Sequence, residues 1–511
     1  MEMLSNLALG FETALTPTNL LYCFIGVSLG TMVGVLPGIG SLAAVSMLLP
    51  VSFYLEPTTA LILLAGVWYG TEYGGSTTAI LLNLPGTPSA AVTCLDGNAM
   101  TKQGRAGVAL FSTTMASFVG GTLGILALMI FGPMIGRAAI AFGPAEYFAL
   151  MALGLVAAAA IAQGSPVKGL AMVVVGLMLG IAGTDVQSGA LRFTFGLPQL
   201  SEGINIVALA MGLFGVAEVI ASIDEVHGNP LQKRITLRSM IPSRQDVRRA
   251  ILPTLRGTGV GAFFGALPGT GQTVAAFIAY ALEKRTSRDP SKFGKGAIEG
   301  VVAPEAANNA AVQTAFIPTL TLGIPGSATM AIMLGALLIH GIQPGPALLT
   351  SRPDIFWGLI ASFWIGNVLL LILNIPLIGL WVRFLQIPYR YLYPAILCLI
   401  CIGVFSINNN LFDVGLVLLF GVLGYAMRIV GFEPAPLIIA FVLGPLMEEN
   451  FRRAMQLARG DAMAMLTRPI AGTILAVTLV MLALALWAAF RKKPVVAAPG
   501  RDLPEPGAPG G

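Results

Sequence analysis

Two short proline–glycine motifs contain the residues best suited to bind a small anion within a helical protein. The residues Leu-Pro-Gly-Ile-Gly at 36–40 recur as Leu-Pro-Gly-Thr-Gly at 267–271. Proline lacks a backbone N–H and glycine accepts positive φ, so each motif should interrupt a helix. The helix that restarts presents free N–H groups and the positive end of its dipole. Such N-termini bind anions, and unwound carbonyls beside them can bind Na⁺.

A second proline–glycine pair lies downstream of each motif, at 84–89 and at 324–329. Any single glycine could serve helix packing alone, but packing does not require proline, which favours a binding role for the four interruptions together. If they converge, they would surround a carboxylate. The predicted substrate-binding residues are Pro37, Gly38, Gly40, Ser41, Pro85, Gly86, Thr87, Ser89, Pro268, Gly269, Thr270, Gly271, Pro325, Gly326 and Ser327.

Two carboxylates, Glu72 and Glu305, lie in apolar surroundings. Each lies between the two proline–glycine motifs of its own half, so the order of the motifs predicts that the two carboxylates occupy equivalent positions. Carboxylates within a membrane are costly and usually functional, so each could accept a proton, bind Na⁺ or cap an interrupted helix. Glu218 lies nearer a predicted helix end and is interpreted as interfacial. No cofactor is predicted, and no metal apart from Na⁺. The coupling-ion candidates are Glu72, Asn83, Glu305, Asn308 and Asn309.

The composition indicates which elements hold these residues. Of 511 residues, 56% are hydrophobic and only 10% are charged, against about 25% charged in soluble proteins. Windows of about 20 apolar residues recur along the chain, which predicts an all-α, polytopic transmembrane bundle with about 10–13 crossings of the bilayer. The net charge of +5 is small for this length and does not suggest a nucleic-acid partner.

Charge distribution predicts how the chain is divided and oriented. No Lys or Arg precedes Lys102, whereas seven crowd the segment 226–256. By the positive-inside rule that segment is a cytoplasmic loop, the N-terminus is periplasmic and the C-terminus is cytoplasmic. The two motif copies then enter from opposite faces, as inverted repeats. The predicted units are a first half 1–225 (motif core 26–90), the basic loop 226–256, a second half 257–490 (motif core 257–330) and a disordered tail 491–511.

The second motif should form a re-entrant helical hairpin. Cationic residues stand on both sides of it, at Arg256 and Lys284. The two intervening legs of about 13 residues would each reach about 20 Å at 1.5 Å per residue. That is less than the roughly 30 Å hydrocarbon core, so the Pro-Gly turn is predicted near the membrane midplane.

Four segments resemble a known family. They are 35–40, 69–76 (Tyr-Gly-Thr-Glu-Tyr-Gly-Gly-Ser), 84–88 and 265–271, and they are similar to the large, TctA-type membrane subunit of tripartite tricarboxylate transporters. The resemblance spans nearly the whole chain. It implies a bacterial inner-membrane permease that works with a small four-helix membrane subunit and a periplasmic solute-binding protein. It further implies import of di- and tricarboxylates or other small carboxylates, driven by a Na⁺ or H⁺ gradient.

The sequence is also compared with the patterns expected of a channel, of a carrier that needs no binding protein and of an enzyme. An alternating-access symporter fits the interrupted helices, whereas a channel would use the same interruptions as a continuous filter. A carrier of organic anions that needs no binding protein is a further alternative. The sequence has no Gly-x-x-x-x-Gly-Lys-[Ser/Thr] motif for ATP and no His-Glu-x-x-His motif, and no nucleophile with a paired base, as a hydrolase requires, stands out. An enzyme is therefore not expected.

Overall fold

The computed structural model describes residues 2–162, 165–185, 187–222, 235–384 and 389–491. The predicted tail, apart from Arg491, and residues 226–234 of the predicted basic loop lie outside the described residues. The first ten helices are α1 (Glu2–Ala14), α2 (Pro17–Val35), α3 (Gly40–Ser52), α4 (Pro57–Leu82), α5 (Thr93–Lys102), α6 (Ala106–Ala139), α7 (Pro144–Ile161), α8 (Pro166–Gly180), α9 (Ile206–Ala210) and α10 (Ala217–Ser222).

One π-helical turn, Met211–Val216, joins α9 to α10. The strands β1 (Gly183–Thr184) and β2 (Leu191–Arg192) form a small antiparallel hairpin. The remaining helices are α11 (Arg244–Gly265), α12 (Gly271–Thr286), α13 (Glu299–Thr314), α14 (Phe316–Leu322), α15 (Ala328–Ile339), α16 (Pro346–Ser351), α17 (Pro353–Asn374), α18 (Ile378–Phe384), α19 (Tyr389–Asn408), α20 (Leu411–Val430), α21 (Ala435–Leu457), α22 (Met463–Thr467) and α23 (Pro469–Arg491).

Five of these helices are long and apolar enough to cross a membrane, namely α2, α6, α17, α20 and α23. Shorter apolar helices, among them α3, α8 and α15, accompany them. Within lipid, a helix satisfies its backbone hydrogen bonds inside its own segment. The predicted fold class, an all-α polytopic membrane bundle, is confirmed.

In the first half, three glycines at intervals of four bring α2 against α4. Gly26, Gly30 and Gly34 lie on the backbone of Leu63, Val67 and Thr71, and a Cβ atom on any of them would clash with the carbonyl oxygen opposite. Small residues in such a stripe let two helix backbones approach closely. The pair α2–α4 is therefore a tightly packed unit.

The second half repeats this packing between α11 and α13. Here Gly257, Gly261 and Gly265 lie on Ala303, Ala307 and Ala311, again with no space for a Cβ atom. In the first half α4 leads into the interruption at 84–89, and in the second half α13 is followed by the short helix α14 and then by the interruption at 324–329. Each half thus contains a hairpin, a helix packed on its first leg and an interruption after that helix.

The shared packing register corrects the expected equivalence of the two buried carboxylates. Because Thr71 occupies the place of Ala311, Glu72 corresponds to Val312, whereas Glu305 corresponds to Ala65. The prediction that the two carboxylates occupy equivalent positions is wrong by about two helical turns. The same register aligns Pro85 with Pro325. The extra residues of the second half therefore lie earlier, in the longer segment 287–298 between α12 and α13.

Helix α11 begins at Arg244, within the segment expected to be a loop, because Ser243 and Asp246 form a capping box. The Ser243 hydroxyl accepts from the Asp246 N–H (3.1 Å), and the Asp246 carboxylate accepts from the Ser243 N–H (3.1 Å). Burial alone would raise the pKa of Asp246, but hydrogen bonds from Ser243 and Arg105 hold that pKa below its usual range. An ionised carboxylate in the first turn of α11 also interacts favourably with the positive end of the helix dipole.

Candidate functional site

The paired glycines of the two hairpin tips share positive φ angles. Gly38 and Gly40 have φ of 90° and 72°, and Gly269 and Gly271 have φ of 81° and 64°. An L-residue with a side chain is strained in this left-handed region. The paired glycines are therefore required by the turn that reverses the chain between α2 and α3 and between α11 and α12.

Each tip leads directly into a helix N-terminus that no side chain caps. Helix α3 begins at Gly40 and α12 at Gly271, and neither receives a side-chain capping hydrogen bond. Their first-turn N–H groups, together with the positive end of the dipole, are available to a ligand. Helix α15 differs, because the Ser327 hydroxyl already accepts from the Met330 N–H (3.2 Å).

The second interruption of each half rests on the hairpin of the same half. Gly86 lies against the carbonyl of Gly34, and a Cβ atom on Gly326 would lie 3.3 Å from the carbonyl of Gly265. Asn83, a predicted ion ligand, ends α4 with a φ of 60°, where the second half has Gly323 with a φ of 71°. The left-handed conformation gives Asn83 a role in ending the helix.

One cavity of about 840 Å³ brings the interruptions of both halves together. Its volume lies within the range of small-molecule sites, roughly 300–1,000 Å³. Of the predicted substrate-binding residues, Ser89, Pro268, Pro325 and Gly326 do not line it. Those that line it are Pro37, Gly38, Gly40, Ser41, Pro85, Gly86, Thr87, Gly269, Thr270, Gly271 and Ser327.

Another part of the cavity wall was not predicted from the sequence. It comes from the π-helical turn with α10 and from the end of α20, and it contains Glu218 and Arg428. Arg428 Nη1 donates to Glu218 Oε2 at 2.8 Å, and 51% of the Arg428 side chain is exposed. Among the described residues that line the cavity, Arg428 is the only one with a positive charge.

Sequence reasoning placed Glu218 at an interface and assigned nothing to Arg428, because each charge lies near a helix end. An isolated charge at a helix end has the same sequence pattern as a solvated residue. The π-helical turn could not be recognised either, since such turns have no simple sequence pattern and often mark functional sites. The helix N-termini were predictable, but their charged partner required the fold.

Glu72 is fully buried and accepts three hydrogen bonds. Its Oε2 accepts from Ser89 Oγ (2.5 Å) and Asn308 Nδ2 (3.0 Å), and its Oε1 accepts from Gln272 Nε2 (3.2 Å). Gln272 also lines the cavity, one residue after the second tip. This side chain connects the cavity wall to a carboxylate of the opposite half, a link that the sequence analysis did not assign.

One oxygen beside Glu72 has no donor. Asn308 Oδ1 is buried and without a hydrogen-bond partner among the residues that the structure describes. An unpaired buried acceptor costs about 1–3 kcal/mol, so this oxygen is suited to a cation or a donor from outside the protein. Asn308 and Glu72, both predicted ion candidates, are therefore brought together.

The other ion candidates lie close by but make different contacts. Glu305 accepts from Thr93 Oγ1 (2.6 Å) and Ser117 Oγ (3.4 Å). Asn309 donates to the backbone carbonyl of Glu305 (3.1 Å) and so remains bound within its own helix. Within the described ranges, neither Glu72 nor Glu305 forms an ion pair with Lys, Arg or His. Two buried carboxylates without a counter-charge favour binding of a proton or a small cation.

Comparison with known proteins places this site in a broader context. A family model described as the Tripartite tricarboxylate transporter TctA family matches residues 20–439. A protein of Agrobacterium vitis, "Uncharacterized 52.8 kDa protein in TAR-I ttuC' 3'region", is 52% identical over 493 residues, which cover 96% of this chain and 98% of that protein. A second protein of the same organism, "Uncharacterized protein in TAR-II ttuC' 3'region", is 56% identical over 233 residues, or 46% of this chain and 96% of its own length. No solved structure matches the chain significantly.

Proposed function

The chain belongs to the TctA family of tripartite tricarboxylate transporters, and from this premise we propose that it is a permease that imports small carboxylates by cation symport. The family is one of transporters and not of enzymes, so the chain is a multi-pass membrane component of a tripartite transporter. The proposal adds the substrate class, the driving ion and the residues that act on each.

The observation that carries the proposal is the convergence of both hairpin tips on one cavity. The uncapped N-termini of α3 and α12 both line it, at Gly40 and Gly271. A carboxylate can accept hydrogen bonds from such N–H groups, as anions do at helix N-termini. Arg428 supplies a guanidinium for a second carboxylate, for which its planar fork is well matched. A di- or tricarboxylate would satisfy both parts of the wall.

The cation is proposed to bind beside Glu72. Glu72 Oε1 and the unpaired Asn308 Oδ1 offer oxygens for Na⁺, and a proton on Glu72 would serve the same neutralising purpose. Gln272 connects this carboxylate to the tip that binds substrate. Occupation of one site therefore changes the environment of the other, as coupled transport requires.

The partners and orientation belong to the same proposal. A periplasmic solute-binding protein would deliver the carboxylate, and a small four-helix membrane subunit would complete the permease in the inner membrane. The cations of 226–256 favour a cytoplasmic position for that segment, with a periplasmic N-terminus and a cytoplasmic C-terminus. Alternating access would expose the cavity to one side at a time.

The test is uptake by the complete three-subunit transporter in proteoliposomes, measured with radiolabelled citrate and a panel of dicarboxylates. We expect saturable uptake that requires both the binding protein and an inward Na⁺ or H⁺ gradient. Uptake that rises linearly with concentration and ignores the gradient would establish a channel and overturn the proposal. Saturable uptake that persists without the binding protein would instead support the alternative of an independent organic-anion carrier.

A further inference from the structure

We propose that a second, basic cavity binds the phosphate group of an anionic phospholipid. This cavity of about 480 Å³ lies at the end of the α11–α12 hairpin that is remote from its tip, beside the segment 287–298. No described residue lines both this cavity and the larger one. Nothing in the proposed transport of carboxylates requires it, so it calls for its own explanation.

The cavity walls are fixed by two bidentate ion pairs. The Arg249 guanidinium donates to both carboxylate oxygens of Glu299, at 2.7 and 2.9 Å. The Arg256 guanidinium donates in the same way to Glu283, at 2.9 and 2.6 Å, and Glu283 is buried. Bidentate pairs of this kind add geometric definition as well as energy. They hold α11 against α12 and α13 and so form a preorganised concave surface.

The cavity carries a positive surplus after its internal pairs are counted. Lys292 pairs with Asp289 at 3.1 Å, which leaves Arg248 and Arg288 as the lining cations that have no ion pair within the described part of the chain. Two guanidinium groups at one concave surface favour a phosphate, whose oxygens accept several charge-assisted hydrogen bonds at once. The ligand chemistry is therefore that of a phosphate ester or free phosphate.

Apolar side chains beside the cavity favour a lipid as the source of that phosphate. On the same helix as Arg248, Val247, Ile251 and Leu255 follow one another at intervals of four, and Ile251 is 56% exposed. Leu252, also exposed, lines the cavity itself. A helix with cations beside such an apolar face can lie at the membrane surface, with that face against the acyl chains. A basic pocket next to an aliphatic face is the arrangement expected for an anionic lipid headgroup.

The purified protein, stripped of lipid in neutral detergent, provides the test. Phosphatidylglycerol is titrated in, with phosphatidylcholine as the neutral lipid and inorganic phosphate as the soluble anion, and binding is followed by native mass spectrometry and melting temperature. We expect phosphatidylglycerol to bind and to raise the melting temperature of the wild type, while phosphatidylcholine does not. For the double variant Arg248→Gln with Arg288→Gln, apparent affinity should fall roughly 30-fold, on the basis of about 1 kcal/mol for each cation.

The matched control is the double variant Arg244→Gln with Arg285→Gln. It removes the same charge from the same two regions, but neither residue lines the cavity. Phosphatidylglycerol binding that falls equally in both double variants would reduce the effect to general charge and overturn the site. An equal response of the wild type to inorganic phosphate would retain the phosphate site but overturn its assignment to lipid. If the cavity variant does not fold, absence of lipid selectivity in the wild type still overturns the proposal.

Discussion

At the residue scale, the pair of Arg428 and Glu218 is where we propose that the cavity recognises a second carboxylate. A hydrogen bond to a charged group contributes about 1.5–3 kcal/mol, and the half-exposed position of Arg428 favours the lower end. We therefore expect Arg428→Gln to raise the KM for dicarboxylates about tenfold, with little change for monocarboxylates. Arg428→Lys should recover part of the loss, since it keeps the charge but not the fork.

The control for this change is Arg453→Gln. Arg453 also belongs to an Arg–Glu pair, with Glu449 at 2.5 Å, but it lies outside the cavity. Uptake kinetics of a dicarboxylate and of its monocarboxylate analogue, measured side by side, decide the matter. A KM that rises equally for both substrates would show that Arg428 does not select for the second carboxylate.

The first hairpin tip gives a second prediction at this scale. In the double variant Pro37→Ala with Gly38→Leu, leucine must adopt a φ of 90° at the cavity surface. The strain costs about 1–2 kcal/mol, which a membrane bundle of this size should tolerate. We expect carboxylate uptake to fall at least tenfold while the protein still elutes as a single species from a sizing column.

A substitution with the same strain outside the site separates folding from binding. Gly104 has a φ of 78°, and a Cβ atom placed there would meet no atom within 4 Å. Gly104→Leu should therefore reproduce the backbone cost and leave uptake near the wild-type rate. Uptake that survives in the tip variant would remove Pro37 and Gly38 from the binding site.

At the element scale, Asp96 ties the long segment 287–298 of the second half to α5 of the first. Its Oδ1 accepts from the N–H groups of Gly294, Gly296 and Ala297 at 2.9, 2.8 and 2.8 Å, and its Oδ2 accepts from Tyr280 Oη at 3.0 Å. The carboxylate is fully buried. Successive N–H groups of a turn can form a concave site for an anion, and here the Asp96 carboxylate is that anion.

Asp96→Asn should therefore destabilise the protein by about 1.5–3 kcal/mol, because the charge that strengthens the three backbone hydrogen bonds is lost and the amide nitrogen cannot accept from Tyr280 Oη. The melting temperature in detergent should fall clearly. Asp461→Asn is the comparison, since Asp461 is exposed and accepts from one backbone N–H, that of Met463. Equal melting temperatures for the two variants would contradict the assigned role of Asp96.

Many of the helix ends could be predicted from the sequence, whereas the contacts between distant elements could not, for a physical reason. The Pro-Gly-x-Gly motifs identified both tips, because proline and glycine act on their own backbone. The break between α13 and α14 has a local cause as well, because Pro318 cannot donate to the carbonyl of Thr314. The partnership of Asp96 with its turn depends on contacts between residues almost two hundred positions apart, which no local pattern encodes.

The residues of the candidate site likewise divide into those that a local motif predicts and those that depend on the tertiary fold. The lining glycines and hydroxyls were predicted, since they belong to repeated motifs. Arg428 and the link from Gln272 to Glu72 were not assigned, because they arise only when α20 and α12 meet residues of the first half. Ser89 was predicted to bind substrate, yet it is buried and donates to Glu72. The sequence identifies where helices end, but it does not identify which residues of other helices contact each end.

At the scale of the whole molecule, Glu72 joins the two halves, since Gln272 and Asn308 of the second half both donate to it. Glu72→Gln preserves volume and one acceptor oxygen but removes the charge. We expect this variant to lose the dependence of carboxylate uptake on Na⁺ or on pH, whichever the wild type shows, while substrate binding persists. The dependence is measured in proteoliposomes over a series of cation concentrations.

Glu449→Gln is the matched control, because Glu449 is an exposed partner of Arg453. Its cation dependence should equal that of the wild type. If Glu72→Gln also keeps an unchanged cation curve, Glu72 is a structural acceptor for Ser89 and Asn308, and the ion must bind elsewhere.

The glycine stripes of α2 and α11 limit how the molecule can deform. At these glycines the two helix backbones approach so closely that no Cβ atom would fit, and such dense packing resists relative motion of the paired helices. Each pair should therefore move as a rigid unit, and a change of shape should occur mainly between the two pairs. The larger cavity is lined by the tips that follow α2 and α11, so a small change of angle between the two pairs would widen one side of the cavity and narrow the other.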